Sequence, residues 1–244
     1  MKPTNKTSRR RFLENTAAIG AIGAIGASQL IRSCSPGETT SEVVEPSFLA
    51  TAPEGQPLKA GVIGCGGRGK GAARNFLDAG PGLSIEAVAD VFQDRIDDFR
   101  KNLKEERDVE LDDAKCFVGL DAYKRVIESD VDIVILATPP YFRPEHFQAC
   151  VEARKHVFME KPVAVDPVGA RAVMAASKQA EAAGLCVVTG TQRRHQWAYQ
   201  NLKARVDAGM IGDIAATNVY WNMSKLWHKD LMAGWTEMEY MLRD

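Results

Sequence analysis

Apolar and polar positions along the chain follow two alternating periods. Short apolar runs at 59–64, 84–90, 114–118, 132–137, 156–159 and 185–190 predict β-strands. Between them, at about 68–79, 93–106, 121–128, 144–154 and 166–183, apolar residues recur at helical spacing. Strand–helix alternation on this scale implies an α/β fold, a doubly wound parallel sheet with right-handed crossovers and helices on both faces. After Thr191 the pattern changes. A helical stretch at 199–208 leads through Gly209 and Gly212 to Ile214–Trp221, which reads as the first strand of another sheet. Residues 58–190 are therefore expected to form one domain, and 191–244 the start of an α+β open-sheet domain. One strand cannot bury a sheet face, so that second domain is expected to be incomplete: a fragment, a truncated product, or a surface completed by another subunit.

The first apolar run ends in Gly64-Cys65-Gly66-Gly67-Arg68-Gly69. In a strand–loop–helix setting, the first glycine allows the tight turn and the second lets backbone approach a pyrophosphate. The third lets helix and strand pack closely, so the free N–H groups at the helix start face the phosphates. An acid, Asp90, closes the second apolar run, where it is placed to hydrogen-bond a ribose 2′-hydroxyl. Together these features predict a dinucleotide-binding domain. The acid disfavours a 2′-phosphate and no arginine directly follows it, Arg95 coming later on the helix, so NAD is expected ahead of NADP.

Residues 1–35 read as a targeting segment. Ser8-Arg9-Arg10-Arg11-Phe12-Leu13 looks like a twin-arginine export signal, and the Ala/Gly/Ile run after it is too glycine-rich for a comfortable membrane span. Partnership with the twin-arginine export machinery follows, with a location in the periplasm or on the outer side of the cytoplasmic membrane. Cys34 follows a run that faintly resembles a lipoprotein cleavage box, but Arg32 suits it poorly; a lipid anchor at Cys34 and a free thiol both stay open. Residues 36–57, rich in Ser, Thr, Glu and Pro, read as a flexible linker. The five cysteines lack metal spacing and disulfide pattern, and the formal net charge of −1 carries no basic stripe for nucleic acid. No metal site is expected.

Ligands of open α/β sheets bind beyond the carboxyl ends of the strands. Three further segments fall there: Thr138-Pro139-Pro140, Glu160-Lys161-Pro162 and Thr191-Gln192-Arg193-Arg194-His195. Lys161 is the candidate catalytic residue. An ammonium beside a nicotinamide can hydrogen-bond a substrate oxygen as hydride moves, and shuttle its proton. His146 and His195 fall near the expected crevice, whereas His156 and His228 read as structural or solvated. Tyr220, Trp221, Trp227 and Trp235 suit either a sugar site or packing.

Taken together, Gly64–Gly69, Asp90, Ala137-Thr-Pro-Pro140 with His146, and above all Glu160-Lys161-Pro162 resemble the Gfo/Idh/MocA oxidoreductase family over roughly residues 58–244. The resemblance implies a Rossmann domain holding NAD or NADP and a C-terminal α/β domain carrying most of the site for a sugar or polyol. It implies that Lys161 belongs to the catalytic set, that Glu160 and Pro162 shape its loop, and that Thr138, Pro139, His146 and Gln192 lie along the cofactor. It also implies a homo-oligomer for the full-length protein. None of the four histidines matches the family's catalytic histidine motif.

The expectation is an exported NAD-dependent oxidoreductase of a sugar, polyol or derivative. Free NAD is scarce outside the cytoplasm, so the cofactor is expected to be carried bound and regenerated within each cycle. One alternative resembles the NAD-dependent glycosidases that use transient oxidation and elimination. A third is a non-catalytic nucleotide-binding remnant.

Overall fold

The computed structural model describes residue 43, residues 55–224 and residues 228–243. The leader, Cys34 and Trp227 lie outside the described residues. One compact unit spans Ser47–Tyr199 and Tyr220–Asp244, and Gln200–Val219 belong to another.

In the larger unit six parallel strands form one sheet in the order β3-β2-β1-β4-β5-β6. They are β1 (Leu58–Ile63), β2 (Leu83–Asp90), β3 (Cys116–Val118), β4 (Ile133–Leu136), β5 (His156–Met159) and β6 (Val187–Thr189). Helices α1 (Gly67–Asp78), α2 (Gln93–Arg107), α3 (Ala122–Glu128), α4 (Arg143–Glu152) and α5 (Pro167–Ala182) connect them. Central β1 pairs with β2 on one side and with β4 on the other, Ala60 opposite Ile133 and Ile63 opposite Leu136. The direction of winding reverses between β1 and β4, and a crevice opens at their carboxyl ends.

Side-chain alternation along the strands sorts the core into two layers. Ile63, Ala89, Val134, Leu136, Val157 and Met159 face one way and pack with residues of α3, α4 and α5, among them Val126, Phe147 and Val173. Val62, Ile85, Val88 and Ile135 face the other way, onto Ala73 of α1 and Phe99 and Leu103 of α2. Both faces are covered, as a parallel sheet requires. Gly61 is small because α3 crosses there: a methyl group would meet the Val126 side chain at 2.4 Å.

Helix ends follow local chemistry. The Asp166 carboxylate accepts from the Gly169 N–H at 2.6 Å and Pro167 opens α5. The end of α2 carries Lys104 and Arg107, which suit its negative pole, and then turns left-handed at Asp108 (φ 54°).

Beyond β6 the sequence expectation fails in part. Helix α6 (Trp197–Asp207) forms close to its expected span. The strand expected at 214–221 does not: residues 213–224 adopt no regular element and are exposed. The segment has strand-like side chains, but none of the described strands pairs with it, and an unpaired strand leaves its backbone groups without partners. A short helix, α7 (Glu237–Arg243), closes the described chain where no element was expected.

Candidate functional site: the glycine loop and the Glu-Lys-Pro loop

The glycine loop turns where β1 meets the end of β4. Gly64 has φ +97°, and its N–H donates to the Ala89 carbonyl at 2.8 Å. A methyl group on Gly64 would lie 2.7 Å from the Thr138 nitrogen, and one on Gly69 only 1.8 Å from the Gly64 carbonyl oxygen. These glycines let loop, helix and neighbouring strand touch through their backbones. Gly67 differs, since nothing lies within 4 Å of a methyl group placed there. The loop is closed on its protein side and open on the side where phosphates would sit, at the uncapped N-terminus of α1.

Asp90, at the end of β2, uses both carboxylate oxygens. Oδ2 accepts from the Cys65 N–H at 2.7 Å and Oδ1 from the Phe92 N–H at 3.1 Å. The acid thus ties the glycine loop to the turn after β2. A cavity of about 710 Å³ opens here, lined in part by Gly66, Arg68, Asp90, Thr138, Pro139 and His146. Gly64 and Gly67 also border it. Arg95 borders it too, 3.7 Å from a methyl group placed on Gly66, so an arginine does reach this space from the first turn of α2.

His146 is buried on α4. Its ring stacks on Tyr123 with centroids 4.1 Å apart, and Nδ1 lies 3.4 Å from the Thr138 hydroxyl. Burial pushes its pKa down to about 4, against the opposing pull of Glu145. At neutral pH the ring is uncharged and serves as a wall and hydrogen-bonding partner for Thr138.

Glu160, immediately after β5, is 2% exposed. One of its oxygens accepts from Arg68 Nε and Nη2, each at 2.7 Å. Gly190 admits this carboxylate, since a methyl group there would lie 2.7 Å from Oε2. Lys161 and Gln192, also expected at the site, are exposed and do not border the cavity. Gly69 lies beneath the loop rather than along the cavity wall.

The sequence reading missed Arg143 and Tyr123. Tyr123 donates to Glu145 at 2.9 Å while supporting the His146 ring. The Arg143 guanidinium, buried at the start of α4, donates to the Thr138 carbonyl at 2.6 Å and to the Pro162 carbonyl. A basic residue close to a strand end was the only available signal. His156 is structural, its Nδ1 accepting from the Cys186 N–H at 2.9 Å. Arg193 lies over the rings of Tyr199 and Trp221, at 5.0 and 5.1 Å. Among the described residues no group of His, Cys, Asp and Glu is arranged to hold a metal, and no helix is long and apolar enough to cross a membrane.

A parallel sheet with its winding reversal beside a glycine loop defines a nucleotide-binding α/β protein. A profile of the oxidoreductase family with an NAD-binding Rossmann fold, Gfo/Idh/MocA, matches residues 58–204, and the chain belongs to that family. It is 28% identical over 155 residues to an inositol 2-dehydrogenase of Mycolicibacterium smegmatis, covering 64% of this chain and 41% of that protein. It is 29% identical over 174 residues to a glycosyl hydrolase family 109 protein of Streptomyces coelicolor, covering 68% and 35%. Among solved structures, scyllo-inositol dehydrogenase from Lactobacillus casei with bound NAD(H) and scyllo-inositol superposes with TM-score 0.53 at 27% identity. That likeness covers 65% of this chain and 43% of the other. The chain spans about two fifths of the length of the inositol dehydrogenases it matches.

Proposed function

We propose that this chain supplies the NAD-binding half of an oxidoreductase acting on a cyclic polyol, sugar or derivative. The observation that carries the reading is the junction of the glycine loop, Asp90 and the Glu-Lys-Pro loop around the carboxyl ends of β1, β2, β4 and β5. The residues present fit the cofactor: Gly67 leaves open space above the N-terminus of α1, and Asp90 presents a carboxylate fixed by two backbone donors. When bound, NAD supplies a hydride acceptor or donor. The N–H groups of the glycine loop hold the phosphates, and Asp90 accepts from the ribose hydroxyl. Asp90 favours NAD, although Arg95, one of four arginines that border the cavity, offers a 2′-phosphate a cation to approach. Thr138, Pro139 and neutral His146 form the wall beside the cofactor. Lys161 hydrogen-bonds the substrate oxygen and takes or returns its proton.

Lys161→Ala in the full-length protein tests the assignment. Turnover should fall by about 10²–10⁴-fold, the contribution expected of one positioned acid–base group, while NAD affinity stays unchanged. Retained turnover would remove Lys161 from the mechanism.

A second reading is NAD-dependent glycoside cleavage by transient oxidation, favoured by the likeness to the glycosyl hydrolase family 109 protein. Substrate assays separate the two: an oxidised polyol or sugar, balanced by NADH or by a reduced second substrate, marks a dehydrogenase, and release of the glycosidic substituent with no net oxidation marks elimination. We also propose export through the twin-arginine pathway with cofactor already bound, from the Ser8–Leu13 motif. Mass spectrometry of nucleotide released from protein purified without added cofactor tests this. Near-stoichiometric NAD(H) supports it, and an empty protein that binds added NAD refutes internal recycling.

A further inference from the structure

Arg143 is a buried cation, and the roles assigned above leave it unused. It is 5% exposed, and its Nε has no hydrogen-bond partner among the described residues. Burying a guanidinium sacrifices strong hydration, so its compensating contacts show what it serves. Both are backbone carbonyls at the cofactor crevice. Nη2 holds Thr138, in the turn after β4, and Nη1 holds Pro162, the residue following Lys161. The residue preceding Lys161 is also held, because the buried Glu160 carboxylate is gripped by Arg68 of the glycine loop. Lys161 is thus an exposed residue whose two neighbours in the chain are fastened by arginines from different elements.

From this geometry we infer that Arg143 is a positioning residue that fixes the backbone of Lys161 relative to the cofactor wall at Thr138. A planar fork is needed, because one group must reach two carbonyls at once. A lysine in its place carries the charge but has a single ammonium. The inference rests on the reading of Lys161 given above.

The test is limited amine labelling with formaldehyde and cyanoborohydride, quantified lysine by lysine by mass spectrometry with and without saturating NAD. Lys178, exposed on α5 and remote from the cavity, serves as internal reference. In the wild-type chain NAD should slow labelling of Lys161 by about fivefold or more, a factor equivalent to ~1 kcal/mol, and leave Lys178 unchanged. At NAD concentrations that saturate each variant, Arg143→Met should lose that protection, and Arg143→Lys should restore part of it.

Full protection in Arg143→Met overturns the inference. So does loss of NAD binding in both variants, which would make Arg143 a general support of the fold. If wild-type Lys161 labels equally fast with and without bound NAD, the reading of Lys161 itself fails and this inference fails with it.

Discussion

Replacing Gly69 with alanine tests the packing on which the glycine loop depends. The added methyl carbon would lie 1.8 Å from the Gly64 carbonyl oxygen and 3.0 Å from its carbon. Comfortable carbon–oxygen contact begins at about 3.3 Å, so 3.3 − 1.8 requires a separation of roughly 1.5 Å. Gly64 has little room to retreat. Its N–H is bonded to Ala89, and the Ala137–Thr138 backbone crowds the position where its own Cβ would stand. Helix α1 must therefore tilt away from the loop.

Overpacking of this kind costs about 1–3 kcal/mol. At ~2 kcal/mol the melting temperature of a chain this long drops by about 4–8 °C. The same displacement pulls the first-turn N–H groups off the phosphates, and NAD affinity should fall by at least ~10-fold. Circular dichroism melts and calorimetric titration with NAD read both effects. Gly71→Ala is the control: its methyl group meets only the Arg68 and Arg74 guanidinium groups, at 3.6 and 4.0 Å, and in a helix interior it should stabilise by about 0.5–1 kcal/mol. A Gly69→Ala protein that melts with wild type and binds NAD equally well would refute the close-packing argument.

The remaining predictions concern pH and thiols. His146 titrates at about 4 in the fold against an ordinary 6.5, so below 6.5 the unfolded chain binds the extra proton. Its contribution is complete above pH 6.5 and is lost as pH falls toward 4, by up to about 3 kcal/mol, from 2.5 × 1.36. Urea unfolding at pH 7 and pH 4.5 should show this loss, and His146→Gln should reduce it; an equal loss in the variant would assign the pH dependence elsewhere. Burial pushes the Cys150 thiol up to about 12 and raises Cys65 well above its ordinary value, while Cys186 is exposed. Among the described cysteines, iodoacetamide at pH 8 should therefore modify Cys186 first and reach Cys65 and Cys150 only in denaturant. Peptide mapping that finds Cys150 alkylated as fast as Cys186 would contradict the packing of α4.

Much of the sheet was legible because apolar runs and their glycine punctuation report burial directly. Strand β5 occupies the expected 156–159, and β1 and β2 begin one residue before their expected starts. Strand β3 begins later than expected because Asp112 accepts from the Ala114 N–H at 2.9 Å and winds Asp113–Lys115 into a 3₁₀ turn. The segment 214–221 misled for a different reason: side-chain character gives strand propensity, but pairing depends on a neighbour that no local pattern supplies. Within the site, the glycines were readable because few residue types satisfy a positive φ or a backbone contact. Arg143 was not, since its partners are carbonyls 5 and 19 residues away, and any residue carries a carbonyl.

The two backbone donors that hold Asp90 bear on the kinetics of nucleotide capture. They fix the rotamer of the carboxylate as part of folding, so the group proposed to meet the ribose is not ordered at the expense of binding. Capture then resembles entry into a formed socket. Substitutions around the ribose should change how long the nucleotide stays far more than how fast it arrives. Under the proposed export with cofactor bound, residence time is the property that matters, and the turn joining Cys65, Asp90 and Phe92 is where it would be set.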